Sequence, residues 1–221
     1  MKLAVLGDLH ISHSAGNVAS LRDALQSYYD LFIQIGDFSE DSFDYHNLAS
    51  LDPEKVKILG GNHEHWPTLL TLPFCLPPFG VLDLNGCKVF WLRGAYSIDS
   101  AFRKKGSWWP EWEQLHFAEL YEAYLFYMET KPDILIAHEA STEAKKVLNL
   151  RGLRLEVSFN IASPTQQTLD KMLEAHRPKL VVNGHWHVAS SEKKDGTYFR
   201  SLGIGELRTF DTEELMAGRK P

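Results

Sequence analysis

Short, mostly apolar runs that each end in glycine recur in the first third of the chain. These runs are Leu3–Leu6 before Gly7-Asp8, Leu31–Ile35 before Gly36-Asp37, and Val56–Leu59 before Gly60-Gly61-Asn62. Runs of this kind are typical of parallel strands that are buried on both faces. Helix-like stretches at Val18–Tyr28 and Phe43–Leu51 separate them. The pattern therefore predicts βαβ units and an α/β fold.

A hairpin and a second series of strands are predicted further along the chain. Val81–Leu84 and Lys88–Leu92 flank Asn85-Gly86, a dipeptide that favours a type I′ turn between two strands. Pro110–Thr130 is predicted to be one long helix with proline at its first position. The remaining predicted elements are strands Ile134–Ala137 and Leu180–Asn183, helix Thr165–Ala175, and a closing antiparallel pair formed by Thr197–Leu202 and Glu206–Phe210.

Length and composition place the chain among ordinary globular proteins. Its 221 residues, 44% of them hydrophobic and 24% charged, suit one domain and exclude disorder. The longest apolar run, Ala123–Met128, is far shorter than the ~18 residues of a membrane span. The apolar start of the chain ends after Leu6, short of the roughly 7–15 apolar residues of a secretory signal. We therefore expect a cytoplasmic protein with no membrane partner.

The net charge limits the kinds of partner that the protein can bind, and the cysteine content bears on the redox state of its compartment. The net charge of −6 disfavours sequence-independent binding to a phosphate backbone. Cys75 and Cys87 are expected to be reduced thiols of the core, because the expected compartment is reducing. Ten histidines draw attention to metal binding, since imidazole is the commonest metal ligand.

Side chains that ligate metals follow five of the predicted strands. They are Asp8, His10, Asp37, Asn62, His138, His185 and His187. Ligands collect at the carboxyl ends of strands in open α/β sheets, so we expect these side chains to meet at one rim. Asp8 and His10 are two residues apart and would project to the same side of an extended segment. The mixed set is too large for one tetrahedral zinc ion and suits two divalent ions that share a bridging carboxylate.

Five short pieces occur in a fixed order between residues 8 and 187, each after a predicted strand. They are Asp8-Leu9-His10, Gly36-Asp37, Gly61-Asn62-His63-Glu64, His138, and Gly184-His185-Trp186-His187. Taken in this order, they resemble the motifs of the calcineurin-like metallophosphoesterase family. An Asp-x-His triplet alone arises often by chance, whereas five pieces in this order do not. The resemblance implies a four-layer α/β/β/α sandwich with a dinuclear metal centre.

The resemblance also implies which residues hold each ion. By matching positions, Asp8, His10, Asp37 and His187 would hold one ion, and Asp37, Asn62, His138 and His185 the other, with Asp37 as the bridge. The expected cofactors are two divalent ions of manganese, iron, zinc or cobalt. Two such ions beside two aspartates leave a site charge of about +2, which attracts a phosphate ester, and they lower the pKa of bound water from 15.7 toward roughly 7.

His63 has a different expected role, because adjacent residues diverge and it cannot readily share an ion with Asn62. In the family, the matching histidine hydrogen-bonds the phosphoryl group or protonates the leaving oxygen. A proton-transferring histidine needs an orienting partner. Glu40, three residues after the bridging Asp37, matches the acid that some members carry there. We therefore expect His63 and Glu40 to be catalytic.

Two departures from the family pattern bear on the substrate. The protein Ser/Thr phosphatase branch carries arginines where this chain has Phe38-Ser39-Glu40-Asp41 and Gly60-Gly61-Asn62, so a dedicated phosphoprotein phosphatase is not expected. The segment 93–130 is instead the expected specificity element of a single domain spanning residues 1–221. Its candidate substrate contacts are Arg93, Arg103, Trp108 and Trp109.

The sequence as a whole predicts a dinuclear metal-dependent phosphoesterase. It would hydrolyse a phosphate ester, a phosphodiester rather than a monoester, by attack of a metal-bridging hydroxide. A small molecule or a nucleotide is the expected substrate. A metal-dependent nuclease acting on DNA or RNA ends is an alternative that Arg103-Lys104-Lys105 beside Trp108-Trp109 permits and the charge of −6 opposes. A non-catalytic metal-binding scaffold is a second alternative, and retention of His63 with every metal position argues against it.

Overall fold

The described strands form two β-sheets in the computed structural model, which describes residues 1–13, 15–48, 51–97, 103, 108–150 and 162–221. The first sheet contains β1 (Lys2–Leu6), β2 (Leu31–Gln34), β3 (Val56–Ile58) and β10 (Leu207–Asp211). Its order is β10-β1-β2-β3. The strands β1, β2 and β3 run parallel, and β10 pairs antiparallel with β1 at one edge.

The second sheet has a parallel centre with an antiparallel strand at each edge. Its strands are β4 (Phe79–Leu84), β5 (Cys87–Leu92), β6 (Ile134–Ala137), β7 (Leu180–Asn183), β8 (Ser190–Lys194) and β9 (Thr197–Ser201), in the order β4-β5-β6-β7-β9-β8. Asn85 and Gly86 have φ values of 55° and 85°, as a type I′ turn requires. The predicted hairpin is therefore confirmed.

Helices cover the outer faces of both sheets. They are α1 (Ala15–Leu25), α2 (Trp66–Leu69), α3 (Pro110–Glu113), α4 (Phe117–Thr130), α5 (Thr142–Val147) and α6 (Pro164–Ala175), with 3-10 turns at Ile11–His13 and Ser42–Leu48. The last helix, α7 (Thr212–Met216), instead places Leu215 in the core between the sheets. Among the helices that the structure describes, none combines the length and the apolar content needed to cross a bilayer.

Three apolar cores separate four layers. Between the sheets, Val5 and Ile33 of the first sheet pack with Ile136 and Val182 of the second. Alternate residues on the other face of each strand meet helices, so Leu135 packs with Tyr127 of α4 and Phe32 with Leu21 of α1. Strands buried on both faces read as continuous apolar runs. The predicted α/β/β/α sandwich is confirmed.

The prediction of one helix over Pro110–Thr130 is wrong. Gln114 is extended, with φ −113° and ψ 124°, and ends α3 after one turn. A second helix begins after His116, whose backbone N–H donates to Glu119 Oε2 at 2.9 Å. This is the reciprocal bond of a capping box, and it stabilises a new helix start. The break leaves the backbone carbonyl of Glu113 free to accept from Ala95 N at 3.1 Å.

Two further expectations about local structure are corrected. Thr197–Leu202 and Glu206–Phe210 do not pair with each other, because β9 pairs with β7 and β8 while β10 pairs with β1 in the other sheet. The antiparallel partner of β9 is the polar strand β8, which has no apolar run to reveal it. The Asp195-Gly196 turn, with φ values of 49° and 86°, was the available signal. The predicted helix Phe43–Leu51 is, in its described part up to Leu48, a 3-10 turn over Ser42–Leu48.

Both cysteines are free thiols, as expected. Burial raises the pKa of Cys75 and of Cys87 to about 11. Each thiol is therefore protonated and unreactive at neutral pH.

Candidate metal centre

Loops from both sheets bring the predicted ligands together at the carboxyl ends of the parallel strands. One ligand atom from each of Asp8, His10, Asp37 and His187 lies within 4.8 Å of every other in the group. Asp37, His138 and His185 form a second group by the same measure. Asp37 belongs to both groups and lies between them.

Asn62 completes the second group from the loop after β3. Its Oδ1 lies 3.1 Å from Nε2 of His138, in a buried position. We call the set Asp8, His10, Asp37 and His187 the first donor group, and the set Asp37, Asn62, His138 and His185 the second donor group. All seven residues named from the sequence as ligands are thus in one place.

The backbone reaches this geometry through left-handed conformations. His10, Asp37, His185 and His187 have φ values of 44°, 56°, 65° and 55°. Such values are uncommon for residues other than glycine and cost about 1–2 kcal/mol each. His10 itself is therefore not extended, although its side chain and that of Asp8 reach the same donor group. The sharp turns, each at a donor, direct these side chains into one cluster.

Hydrogen bonds between the loops hold the turns in place. Oδ2 of Asp8 accepts from His185 N at 2.8 Å, which joins the loop after β1 to the loop after β7. Oδ1 of Asp37 accepts from His63 N at 2.7 Å. The backbone carbonyl of Asp37 accepts from Leu9 N and His10 N at 3.0 and 2.8 Å. Each loop is thus fixed by a neighbour from another strand.

Glycine is required at two positions where the backbone passes close to the carboxylates of Asp8 and Asp37. A Cβ on Gly61 would collide with Oδ1 of Asp37, and a Cβ on Gly184 with Oδ1 of Asp8. Only a residue without a side chain lets the backbone pass so near.

The donor set fits divalent cations. Asp8 Oδ1 and Asp37 Oδ2 are buried and accept no hydrogen bond from the part of the chain that the structure describes. Unpartnered buried carboxylate oxygens are strongly unfavourable unless a cation binds them. His10 Nε2 and His187 Nε2 also face each other at 2.9 Å. Each ring nitrogen points into the space where the carboxylate oxygens converge.

The electrostatics of the second donor group also favour a bound cation. Burial by itself lowers the pKa of His138, but the carboxylates of Asp37 and Asp8 raise it to about 10. Burial would raise the pKa of Asp37, yet the neighbouring imidazoles hold it well below its ordinary value. The centre therefore carries buried negative charge that attracts a proton or a metal ion.

Residues behind the donors orient them. Nδ1 of His138 donates to Ile35 O at 2.8 Å, which turns Nε2 toward Asp37 and Asn62. This is the usual arrangement for a metal-ligating imidazole. Glu139 Oε2 lies 3.7 Å from His185 Nε2, and Glu139 Oε1 accepts from Trp186 Nε1 at 3.0 Å. Sequence reasoning missed Glu139, although its position beside His138 was an available signal.

Glu64 holds the loops after β2 and β3 together. Its carboxylate accepts from Phe38 N, Gly61 N and Tyr45 Oη at 3.2, 3.1 and 2.5 Å. Burial raises the pKa of Glu64 to about 7. Tyr45, the buried partner that supplies the hydroxyl, was not singled out from the sequence.

The expected contact between His63 and Glu40 is present. His63 Nδ1 lies 2.7 Å from Glu40 Oε1. Since a carboxylate can only accept, Nδ1 carries the proton and Nε2 is left as an acceptor. Arg103 Nη2 donates to that Nε2 at 2.5 Å, and Arg103 Nη1 donates to Glu40 at 2.5 Å. The guanidinium thus bridges the two residues expected to be catalytic.

The other candidate substrate contacts occupy different surroundings. The guanidinium of Arg93 is buried and lies 4.9 Å from the ring centre of Trp66. Trp109 packs on the core beneath α2, its ring 4.8 Å from that of His65. Nε1 of Trp108 donates to Glu113 Oε2 at 2.8 Å. Lys104 and Lys105 lie outside the described residues, so the basic run is represented here by Arg103 alone.

Structural comparison finds the same fold in proteins of low sequence identity. A phosphopantetheinyl hydrolase from Mycobacterium tuberculosis is 17% identical, with a TM-score of 0.51 over 100% of this chain and 93% of that one. A candidate 5′-nucleotidase from Staphylococcus aureus is 15% identical, with a TM-score of 0.53 over 94% of this chain and 50% of that one. The inner-membrane-complex anchor GAP50 of Plasmodium is 10% identical, with a TM-score of 0.57 over 93% of this chain and 72% of that one.

Sequence comparison identifies the family directly. No curated protein sequence matches the chain. A model of the calcineurin-like phosphoesterase family matches residues 1–189, a range that contains both donor groups, His63 and Glu40. The chain belongs to the calcineurin-like phosphoesterase family, whose members depend on metal ions.

Proposed function

We propose that the protein is a dinuclear metal-dependent phosphoesterase that hydrolyses phosphodiesters in preference to monoesters. The observation that carries this proposal is the pair of donor groups sharing Asp37. The first donor group would hold one divalent ion and the second donor group the other. The ions would be manganese, iron, zinc or cobalt, all of which accept mixed carboxylate and imidazole ligands.

The charge of the site supports an anionic substrate. When bound, the two ions would neutralise charge on the phosphate ester and lower the pKa of a water molecule that they share. Asp8 and Asp37 supply the carboxylates of the centre, while Asn62 supplies a neutral oxygen. A third carboxylate at position 62 would remove a positive charge where the phosphate must bind.

His63 would act on the leaving oxygen through Nε2. Glu40 fixes the ring by accepting from Nδ1 at 2.7 Å. The backbone N–H of His63 donates to Asp37 Oδ1, so the imidazole is tied to the bridging residue of the metal centre. To act on the leaving oxygen, the ring must also carry a proton on Nε2, which requires Arg103 Nη2 to leave that nitrogen. The imidazolium would then hydrogen-bond the phosphoryl group or give its Nε2 proton to the departing oxygen.

Arg103 would bind the phosphate. Its side chain is 5% exposed and approaches His63 and Glu40 from the segment before α3. A guanidinium that bridges these residues can redirect one N–H hydrogen bond from His63 to a phosphate oxygen, while its other N–H still donates to Glu40.

We further propose that residues 93–130 set specificity within a single domain, and that the protein works in the cytoplasm. Within that segment, α4 packs Leu120, Ala123 and Tyr127 into the outer core. Substrate contacts would therefore come from the part before α4, which includes Arg103 and Trp108. The free thiols of Cys75 and Cys87 are consistent with a reducing compartment.

A panel of phosphate esters and metals tests this function. Bis-p-nitrophenyl phosphate, p-nitrophenyl phosphate, a nucleotide diester and a short single strand are assayed with each of the four metals. We expect hydrolysis of the small diesters and its loss on chelation. Preference for the single strand with a steep salt dependence would indicate the nuclease alternative. Binding of metal without hydrolysis of any ester would indicate a scaffold.

Variants of two histidines separate catalysis from folding. His63→Gln should retain both ions while kcat falls by roughly 10²–10⁴-fold, the range for a positioned acid–base group. His176→Gln is the matched control, because His176 Nε2 bonds to Pro132 O at the end of α6. Loss of metal from the His63 variant would contradict the assigned role.

A further inference from the structure

A buried chain of hydrogen bonds runs behind Asn62. Nδ2 of Asn62 donates to Ser97 Oγ at 3.2 Å. Ser97 Oγ in turn lies 2.7 Å from Glu113 Oε2, and Trp108 Nε1 donates to the same oxygen at 2.8 Å. Ser97 and Glu113 are 0% and 2% exposed. Neither residue lies in the five ordered pieces that carry the family resemblance.

The chemistry of these groups gives the chain a direction. The carboxylate of Glu113 accepts from Ser97 N and Trp108 Nε1, so it acts as an acceptor toward the Ser97 hydroxyl as well. The hydroxyl therefore donates to Glu113, and its lone pairs accept from Asn62 Nδ2 at 3.2 Å and from Arg103 Nη2 at 3.4 Å. A lone pair can only receive the amide N–H of Asn62. The amide oxygen is then turned the other way, toward Nε2 of His138 at 3.1 Å.

This direction matters because an asparagine amide has two nearly identical ends. Only the oxygen can bind a cation, whereas the NH₂ end would place partial positive charge against it. Free rotation would also cost conformational freedom on binding. A partner that accepts only the NH₂ end removes both problems before a cation arrives.

We propose that Ser97 and Glu113 are positioning residues that lock Asn62 with its oxygen toward the second donor group. The proposal rests on the proposed function, since it takes Asn62 to be a metal ligand. It adds that affinity for one of the two ions depends on residues far from Asn62 in sequence, the nearer of which, Ser97, is 35 positions away.

The backbone around Ser97 is built to keep this contact. Gly94 N donates to Gly60 O at 3.0 Å, which ties the segment after β5 to the loop after β3 that carries Asn62. Ala95 N donates to Glu113 O at 3.1 Å. The break between α3 and α4 leaves that carbonyl available. These bonds place Ser97 between Asn62 and Glu113.

Ser97→Ala tests the proposal against a matched control. Ser201 is also 0% exposed, and its Oγ accepts from the amide of Asn183 at 3.1 Å. Ser201→Ala therefore removes the same kind of buried contact from an asparagine that is no candidate ligand. Manganese binding to metal-stripped protein is measured by titration calorimetry, and the visible absorption of the cobalt-loaded protein reports the ligand field.

We expect wild type and Ser201→Ala to bind two ions with the same affinities. Ser97→Ala should bind one ion normally and the other about 10–100-fold more weakly, the range for an outer partner of a ligand. Its cobalt spectrum should change for that ion alone. Equal affinities in Ser97→Ala and wild type, or an equal loss in both serine variants, would overturn the proposal.

If Ser97→Ala does not fold, Glu113→Gln provides a second test of the same proposal. The glutamine keeps the size of the side chain but places an NH₂ group among donors, so it should weaken the same ion selectively. Unchanged binding in this variant would contradict the proposal. Absence of metal from the wild type would instead contradict the proposed function itself, which separates the two failures.

Discussion

The two donor groups share Asp37 but differ in how firmly the protein holds them. In the first donor group, the side chain of His187 is 37% exposed. In the second, His138 is 0% exposed, and Ile35 O fixes its ring. Ser97 fixes the amide of Asn62 in the same group. The first donor group can adjust near solvent, and the second is preorganised.

This difference suggests a division of work between the two groups. Preorganised ligands bind more tightly because little order is lost on binding. We infer that the second donor group retains its ion more firmly. The first donor group lies next to His63, whose ring centre is 5.0 Å from that of His10. The substrate would enter on that side, where Arg103 also lies.

Asp37→Asn should have the largest effect, because it removes the charge that both donor groups use. We expect bound metal to fall from near two ions per chain and hydrolysis to drop to the background level. Elemental analysis and the diester assay check this together. Asp133→Asn is a control, since Asp133 pairs with Lys179 away from the centre. Retention of two ions in Asp37→Asn would contradict the shared role.

Alanine variants of His138 and His187 should differ in their effects on metal binding and on the free energy of unfolding. His138→Ala should lose one ion and also lower the free energy of unfolding by about 1–3 kcal/mol, because Ile35 O loses its buried donor. His187→Ala should weaken the other ion by about 10–100-fold and change unfolding little, since the ring is partly exposed.

Urea unfolding in a chelator, with metal titration in parallel, measures both effects. Equal destabilisation by the two variants would show that the two donor groups are held alike, and would contradict a preorganised second donor group.

Arg103→Ala should act on substrate binding and leave both ions in place. Losing a charge-assisted contact to phosphate should raise KM by roughly 10-fold or more. Arg177→Ala is the matched control, because Arg177 pairs with Glu143 on α5. A fall in metal content with no change in KM would mean that Arg103 serves the centre and not the substrate.

The smallest of the expected effects is the change in thermal stability when a chelator removes the ions. A ligand at 100 times its Kd stabilises the folded state by about 2.7 kcal/mol. Removing each ion should therefore lower Tm by roughly 5–10 °C in a chain of this size. The loss should occur in two steps as chelator strength increases, the first donor group emptying first. Thermal unfolding across a series of chelators measures this, and a Tm that does not respond would contradict it.

The elements that carry the centre were predictable because their strands are buried on both faces. Runs such as Leu3–Leu6 and Ile134–Ala137 have no polar residue to confuse the pattern, and a ligand type follows each of them. The strand β8 was missed because it is polar and lies at an edge. Its only signal was the turn at Asp195-Gly196.

What the sequence could not show were contacts between distant segments and backbone conformation. The left-handed φ at His10 and Asp37 is imposed by hydrogen bonds between loops from different strands. The contact of Arg103 with His63 spans 40 positions, and that of Ser97 with Asn62 spans 35. No local pattern encodes such pairs, because each depends on how the whole fold closes.

Anomalous diffraction from crystals soaked in manganese tests the central claim most directly. We expect two peaks per chain, about 3.5–4 Å apart as in two-metal sites. Both peaks should contact the Asp37 carboxylate, one also contacting Asp8, His10 and His187, and the other Asn62, His138 and His185. A single peak, or two peaks that do not share Asp37, would contradict this claim.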